Sequence, residues 1–148
     1  DEAPPSLRFE RACRGDVPIV TVIGSDKSAI DNIVVKAGMK SAEPYAEPLD
    51  ARSIDTGVVV AFATDSVGNR TPLLSFDIIP RVHLIDSGGR SQVSWEGTCW
   101  PLQIEAADRL DATTWVTVSS EIREQDGRQW VEIVPGATSQ LFRLRLRP

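Results

Sequence analysis

The chain has 148 residues, 25% of them charged and 41% hydrophobic, with a net charge of −5. That balance supports a packed core rather than a disordered tail, and the length fits one large domain or two small ones. The acidic excess argues against a nucleic-acid binder, which carries a basic face, and no apolar run approaches the roughly 20 residues of a membrane-spanning helix.

The chain opens Asp1-Glu2-Ala3-Pro4-Pro5, without the charged and apolar regions of a signal peptide. That opening reads either as a mature end after processing or as a cut inside a longer protein. No long segment repeats apolar residues at helical spacing, whereas β-branched residues cluster in short alternating runs between prolines. The expectation is therefore an all-β protein.

Residues 4–10 form a first strand with Leu7 and Phe9 on one face, and Cys13-Arg14-Gly15-Asp16 a loop. Residues 17–26 follow, with Ile19, Thr21 and Ile23 on one face and Val20 and Val22 on the other. A third strand covers 30–38. Residues 39–57, with Pro44 and Pro48, suit a short edge strand or loop. The most regular stretch is 58–78. Val58, Val60, Phe62 and Thr64 share one face of a strand, and Leu74, Phe76 and Ile78 one face of the next. Between them, Asp65-Ser66-Val67-Gly68-Asn69 holds the Gly and Asn that a hairpin turn requires.

In the second half, strands are expected at 81–85, 91–95, 102–106, 114–118, 130–134 and 141–147. Asp86-Ser87-Gly88-Gly89 and Gln125-Asp126-Gly127 read as turns. Leu102, Ile104 and Ala106 alternate with Gln103 and Glu105, and Phe142, Leu144 and Leu146 with Arg143, Arg145 and Arg147.

Three segments of the first half resemble bacterial immunoglobulin-like domains of surface and secreted proteins. They are the hairpin Ala63-Thr64-Asp65-Ser66-Val67-Gly68-Asn69, the loop Ser25-Asp26-Lys27-Ser28-Ala29-Ile30-Asp31 (similar to S-D-x-S-G-I-D), and the D-x-x-P-P opening. In the second half, Val93-Ser94-Trp95, Leu102 to Leu110, Trp115 to Val118 and Phe142 to Arg145 resemble fibronectin-III-like modules. Such modules stand at the C-terminus of large secreted planctomycete and verrucomicrobial proteins. Cys99-Trp100-Pro101 departs from that pattern, which leaves room there for a bulge or a disulfide. The resemblances imply two tandem small β-sandwiches, 1–80 Ig-like and 81–148 Fn3-like, in an exported protein. They imply no activity.

The chemistry-bearing residues fall into few groups. Cys13 and Cys99, the only cysteines, lack the paired spacing of a zinc site. They read either as a disulfide joining the two halves of an exported chain or as two buried thiols. His83, the sole histidine, sits mid-strand without a nucleophile elbow, so no triad is expected. Asp26, Asp31, Asp65, Glu96 and Glu105 offer carboxylates, but only as arbitrary glycosidase pairs. Asp1, Asp26, Asp31 and Asp65 lie at expected strand ends, where a calcium ion would be held through oxygen ligands, yet no D-x-D-x-D-G loop is present. Asp65 is the better candidate for an Asx turn.

Arg14-Gly15-Asp16 reads as a turn rather than an adhesion tripeptide, and Asn69-Arg70-Thr71 as a sequon whose Asn already serves a turn. Arg143, Arg145 and Arg147 form a one-sided ladder. It is either a docking strip or an edge guard paired with glutamates such as Glu105 or Glu132. Of the four tryptophans, Trp95 and Trp115 fit the core pattern, whereas Trp100 and Trp130 are the candidates for stacking on a sugar.

No catalytic residue, metal or cofactor is expected. The reading is a non-enzymatic extracellular or cell-surface structural and adhesive protein, a filament subunit or adhesin repeat assembled through strand edges. Leu7, Phe9, Arg143, Arg145 and Arg147 are its docking residues. Its partners are then copies of itself or neighbouring domains, with no nucleic acid and no membrane span. The alternative is a carbohydrate-binding accessory module of a secreted enzyme, holding polysaccharide through Trp100 and Trp130.

Overall fold

A computed structural model describes residues 3–97, 99–118, 121–133 and 141–147. The chain is all-β, with fourteen strands and one short 3₁₀ turn among the described residues, and it divides into two compact units, Asp1–Ile78 and Ile79–Pro148. Among the described residues, no helix is long and apolar enough to cross a membrane.

The first unit holds β1 (Ser6–Arg14), β2 (Val17–Ser25), β3 (Ile30–Ala37), β4 (Glu43–Pro44), β5 (Leu49–Asp50), β6 (Val58–Asp65) and β7 (Leu74–Asp77). They form two antiparallel sheets, β1-β2-β5 and β4-β3-β6-β7. β1 runs to Arg14, so Cys13 and Arg14 belong to the strand and not to a loop. Register Arg14↔Val17 leaves a two-residue turn in which Gly15 has φ 59°, the positive first position of a type II′ hairpin. Pro44 lies on the edge strand β4, where its missing N–H costs no ladder bond.

Val22, Val35 and Ala61 are buried at the centre of the core, with Leu7, Phe9, Ile33, Tyr45 and Leu49 packed against them, so both sheets feed one cluster. On β6 the buried row is Val59, Ala61 and Ala63, while Val58, Val60, Phe62 and Thr64 are only half-buried. Phe76 and Leu74 pair directly with Val59 and Ala61, which places them on the inward row. Phe9 stacks on Phe76 at 4.9 Å, and Arg11 lies over the same ring while donating to the carbonyls of Asp77 and Ile78. These contacts tie β1 of one sheet to β7 of the other.

The second unit holds β8 (Val82–Ser87), β9 (Arg90–Glu96), β10 (Leu102–Ala107), β11 (Val116–Thr117), β12 (Arg123–Gln125), β13 (Arg128–Ile133) and β14 (Leu141–Leu146). Their sheets are β12-β13-β9-β8 and β11-β10-β14. The expected turn at 86–89 shortens to Gly88-Gly89, because Asp86 and Ser87 pair with Ser91 and Arg90. Asp126-Gly127, both at positive φ, form the other tight hairpin and admit a strand, β12, that the alternation had not marked. The strand expected over 114–118 contracts to Val116–Thr117. Val134, expected at a strand end, lies outside the described residues.

Val93, Trp95, Trp100, Leu102, Ile104, Val131 and Ile133 are buried and come from both sheets and the loop before β10. The tryptophan pair in this core is Trp95 with Trp100, not Trp95 with Trp115. Trp100 packs over Gly97, whose φ of 105° and missing Cβ leave room for the indole. The departure at Cys99-Trp100-Pro101 therefore inserts a core residue.

Candidate functional site

Pairing across the sheet of β8, β9, β13 and β12 fixes which side chains share its two faces. Val82, Leu84, Val93, Trp95, Gln129 and Val131 fall on one face, where Trp95 and Val131 are buried and the Trp95 indole N–H donates to Gln129 Oε1 at 2.9 Å. The opposite face is a grid. One row crosses all four strands as His83, Ser94, Trp130 and Arg123. The row to one side is Ile85, Gln92 and Glu132, and to the other Glu96, Arg128 and Gln125. Cross-strand neighbours stand about 5 Å apart and successive rows about 7 Å apart.

A groove of about 770 Å³ lies on this grid, lined by His83, Gln92, Ser94, Gln125, Arg128 and Trp130 among others. Trp130 lines it and is half-buried, with the exposed Arg123 guanidinium 5.0 Å from the ring centroid. Arg128 donates to Ser94 Oγ at 3.2 Å and faces Glu96 at 3.8 Å, and Arg90 faces Glu132 at 3.8 Å. The nearby charges are thus close to balanced. The side chains of His83, Gln92 and Gln125 make no hydrogen bond within the described residues and are open to a ligand or water.

β8 is an edge strand of that sheet. Three of its side chains are large, apolar and exposed: Val82 at 47%, Leu84 at 64% and Ile85 at 55%. Edge strands in natural proteins are ordinarily blunted by charge, proline or a bulge. β8 has none of these between Val82 and Ile85.

The other predicted residues take structural positions. Trp100 is 2% exposed, so its ring is not available for stacking as expected. Leu7 and Phe9 face inward against the core, which leaves the backbone edge of β1, and not these side chains, open to a partner. Arg143 donates through Nε and its terminal nitrogen to Glu105 Oε2, both at 2.6 Å, and lies 4.3 Å over Trp115. Arg145 approaches the same carboxylate at 3.8 Å, and Arg147 is exposed at the strand end, so the ladder is partly neutralised by Glu105 and not by Glu132. Glu105 is buried, which alone would raise its pKa. Hydrogen bonds from Arg143 and Gln103 and the two arginine charges outweigh burial and hold the carboxyl below its usual range.

Asp65 is also buried, and again burial is outweighed. It accepts from the Asn69 side chain and from the backbone N–H groups of Asn69 and Val67, and its pKa is lowered. Both oxygens of Asp65 accept hydrogen bonds within the hairpin, as an Asx turn requires, and Asn69 and Thr71 are equally engaged. Thr71 Oγ1 accepts from the Ala63 N–H in a buried bond, which accounts for the sequon as turn chemistry. Asp1 lies outside the described residues. Among those described, no three His, Cys, Asp or Glu side chains gather as a metal site. Neither Cys13 nor Cys99 is a free thiol.

Sequence reasoning missed the grid around Trp130. Its members are scattered over four strands, and only the register brings them to one face. The usable signal was Asp126-Gly127, which announces a two-residue hairpin and hence a strand carrying Arg123. No family model, curated protein or solved structure matches the chain.

Proposed function

We propose that the chain is a non-enzymatic structural and adhesive element of an extracellular or cell-surface protein, a filament subunit or adhesin repeat joined to its neighbours by strand-edge pairing. The observation that carries this reading is the edge of β8, the end strand of its sheet among the described residues, where Val82, Leu84 and Ile85 are exposed ahead of the charged Asp86. Support for the Ig-like and Fn3-like assignment comes from strand order. β1-β2-β5 against β4-β3-β6-β7 corresponds to A-B-E against C′-C-F-G of a Greek-key sandwich, and β12-β13-β9-β8 to D-E-B-A. Export fits a chain whose two cysteines are not free, and Cys13 paired with Cys99 is the crosslink we assign.

The test is light scattering on a sizing column with negative-stain microscopy beside it, on the whole chain and on Leu84→Lys. Leu84 is exposed, so a charge there blocks edge pairing without disturbing the core. Multimers or fibres in the parent that become monomers in the variant are expected. A parent that remains a 16.2 kDa monomer at high concentration overturns the reading.

A further inference from the structure

We infer that the groove around Trp130 is a binding site for a neutral pyranose unit of a polysaccharide. This goes beyond edge assembly, since a ligand in the groove needs no second copy, and the groove reaches from Trp130 to the β8 residues Val82, Leu84 and Ile85 that the assembly reading uses. Three observations meet there.

The first is an aromatic ring, Trp130, lining an open groove on this face. A pyranose has an apolar C–H face that stacks on indole, and Trp is the side chain that offers a large apolar surface with little conformational freedom to lose. The second is the rim. His83, Gln92 and Gln125 present uncommitted donors and acceptors around the ring, and Ser94 and Arg128 add a hydroxyl and a guanidinium. This is the pattern of a small-molecule site, an apolar floor with a few convergent polar groups, and amides that both donate and accept suit hydroxyls, which do the same. The third is charge. Arg90, Arg123 and Arg128 are matched in number by Glu96, Glu132 and Asp126, so the rim offers an anionic sugar no net surplus of cations. Arg123 lies over the indole through an exposed, weak contact, which the sugar replaces while the guanidinium swings to the ligand's hydroxyls.

Affinity electrophoresis of the whole chain decides the matter, in native gels cast with hydroxyethylcellulose, galactomannan, dextran or, as the polyanion, alginate. Retardation by at least one neutral polymer and not by alginate is expected. Trp130→Ala should weaken it about tenfold, and Gln92→Ala, a milder change beside the ring, several-fold with the fold intact by circular dichroism. Free migration of the parent in every gel, retardation by alginate alone, or Trp130→Ala and Gln92→Ala variants retarded like the parent would overturn the site. Sizing of Trp130→Ala keeps the two proposals apart, because edge assembly survives the loss of the indole.

Discussion

Ala29 sits at φ 67°, in the left-handed region. It stands where the resembling loop S-D-x-S-G-I-D has glycine. The conformation is held because the Ala29 carbonyl accepts from the Ser66 N–H at 3.1 Å and the Ser66 hydroxyl donates to the Ser28 carbonyl, which fastens this loop to the Asp65 hairpin. A left-handed alanine costs about 1–2 kcal/mol, and glycine returns about 0.4–1 kcal/mol of that through its freer unfolded chain. Ala29→Gly should therefore stabilise the first unit by about 0.5–1 kcal/mol, read as a higher urea midpoint at unchanged slope. At this scale the sequence was most legible where a residue's chemistry is local. Asp65 as an Asx turn and Asn69 as a turn residue needed only their immediate neighbours. Trp100 and Trp115 exchanged roles because burial is decided by distant packing. Gly97 makes the space that Trp100 fills, and Arg143, on a strand well over twenty residues later in the chain, caps Trp115.

Among the elements, β10 and β14 carry the most informative pairing. Glu105 sits opposite Arg143 and beside Arg145, in a face otherwise lined by Gln103 and Thr117. Its pKa is depressed in the folded chain, so the stability it contributes is complete above the unfolded-state value of about 4.3 and is lost as pH falls through the folded value. Glu105→Gln should cost about 2 kcal/mol near pH 7, the worth of hydrogen bonds to a charged acceptor. Parent and variant should converge in paired urea titrations as pH falls through the folded value. A constant gap across that range would assign the cost to packing. The long alternating strands β2, β3, β6 and β10 were legible because period-two patterning survives over six residues or more. β4 and β5 span two residues each and carry no period to read; their existence depends on a neighbour's free edge.

For the molecule as a whole, the boundary at Ile78–Ile79 falls beside the expected division at 80–81, where Pro80 interrupts the β pattern. What alternation could not supply is sheet membership. Sorting seven strands per unit into two sheets requires the order of pairing, which local pattern leaves open. The whole-chain prediction concerns Cys13 and Cys99. Unreduced protein should resist alkylation, weigh less than the reduced form by two hydrogens, and melt higher than the Cys13→Ser, Cys99→Ser pair. Closing so long a loop contributes about 4.5 kcal/mol in the chain-entropy account. Equal melting of both forms would remove the crosslink as a stabilising element.

All four tryptophans lie in the second unit, and the single tyrosine, Tyr45, lies in the first with its hydroxyl accepting from the Val22 N–H at 3.1 Å. The molecule thus carries a separate optical reporter in each half. Indole emission follows the Ile79–Pro148 unit alone, whereas the hydroxyl environment of Tyr45 follows the Asp1–Ile78 unit. A melt recorded only through indole fluorescence would look two-state and complete while the first unit was still folded. Recorded through both signals, it counts the cooperative units directly.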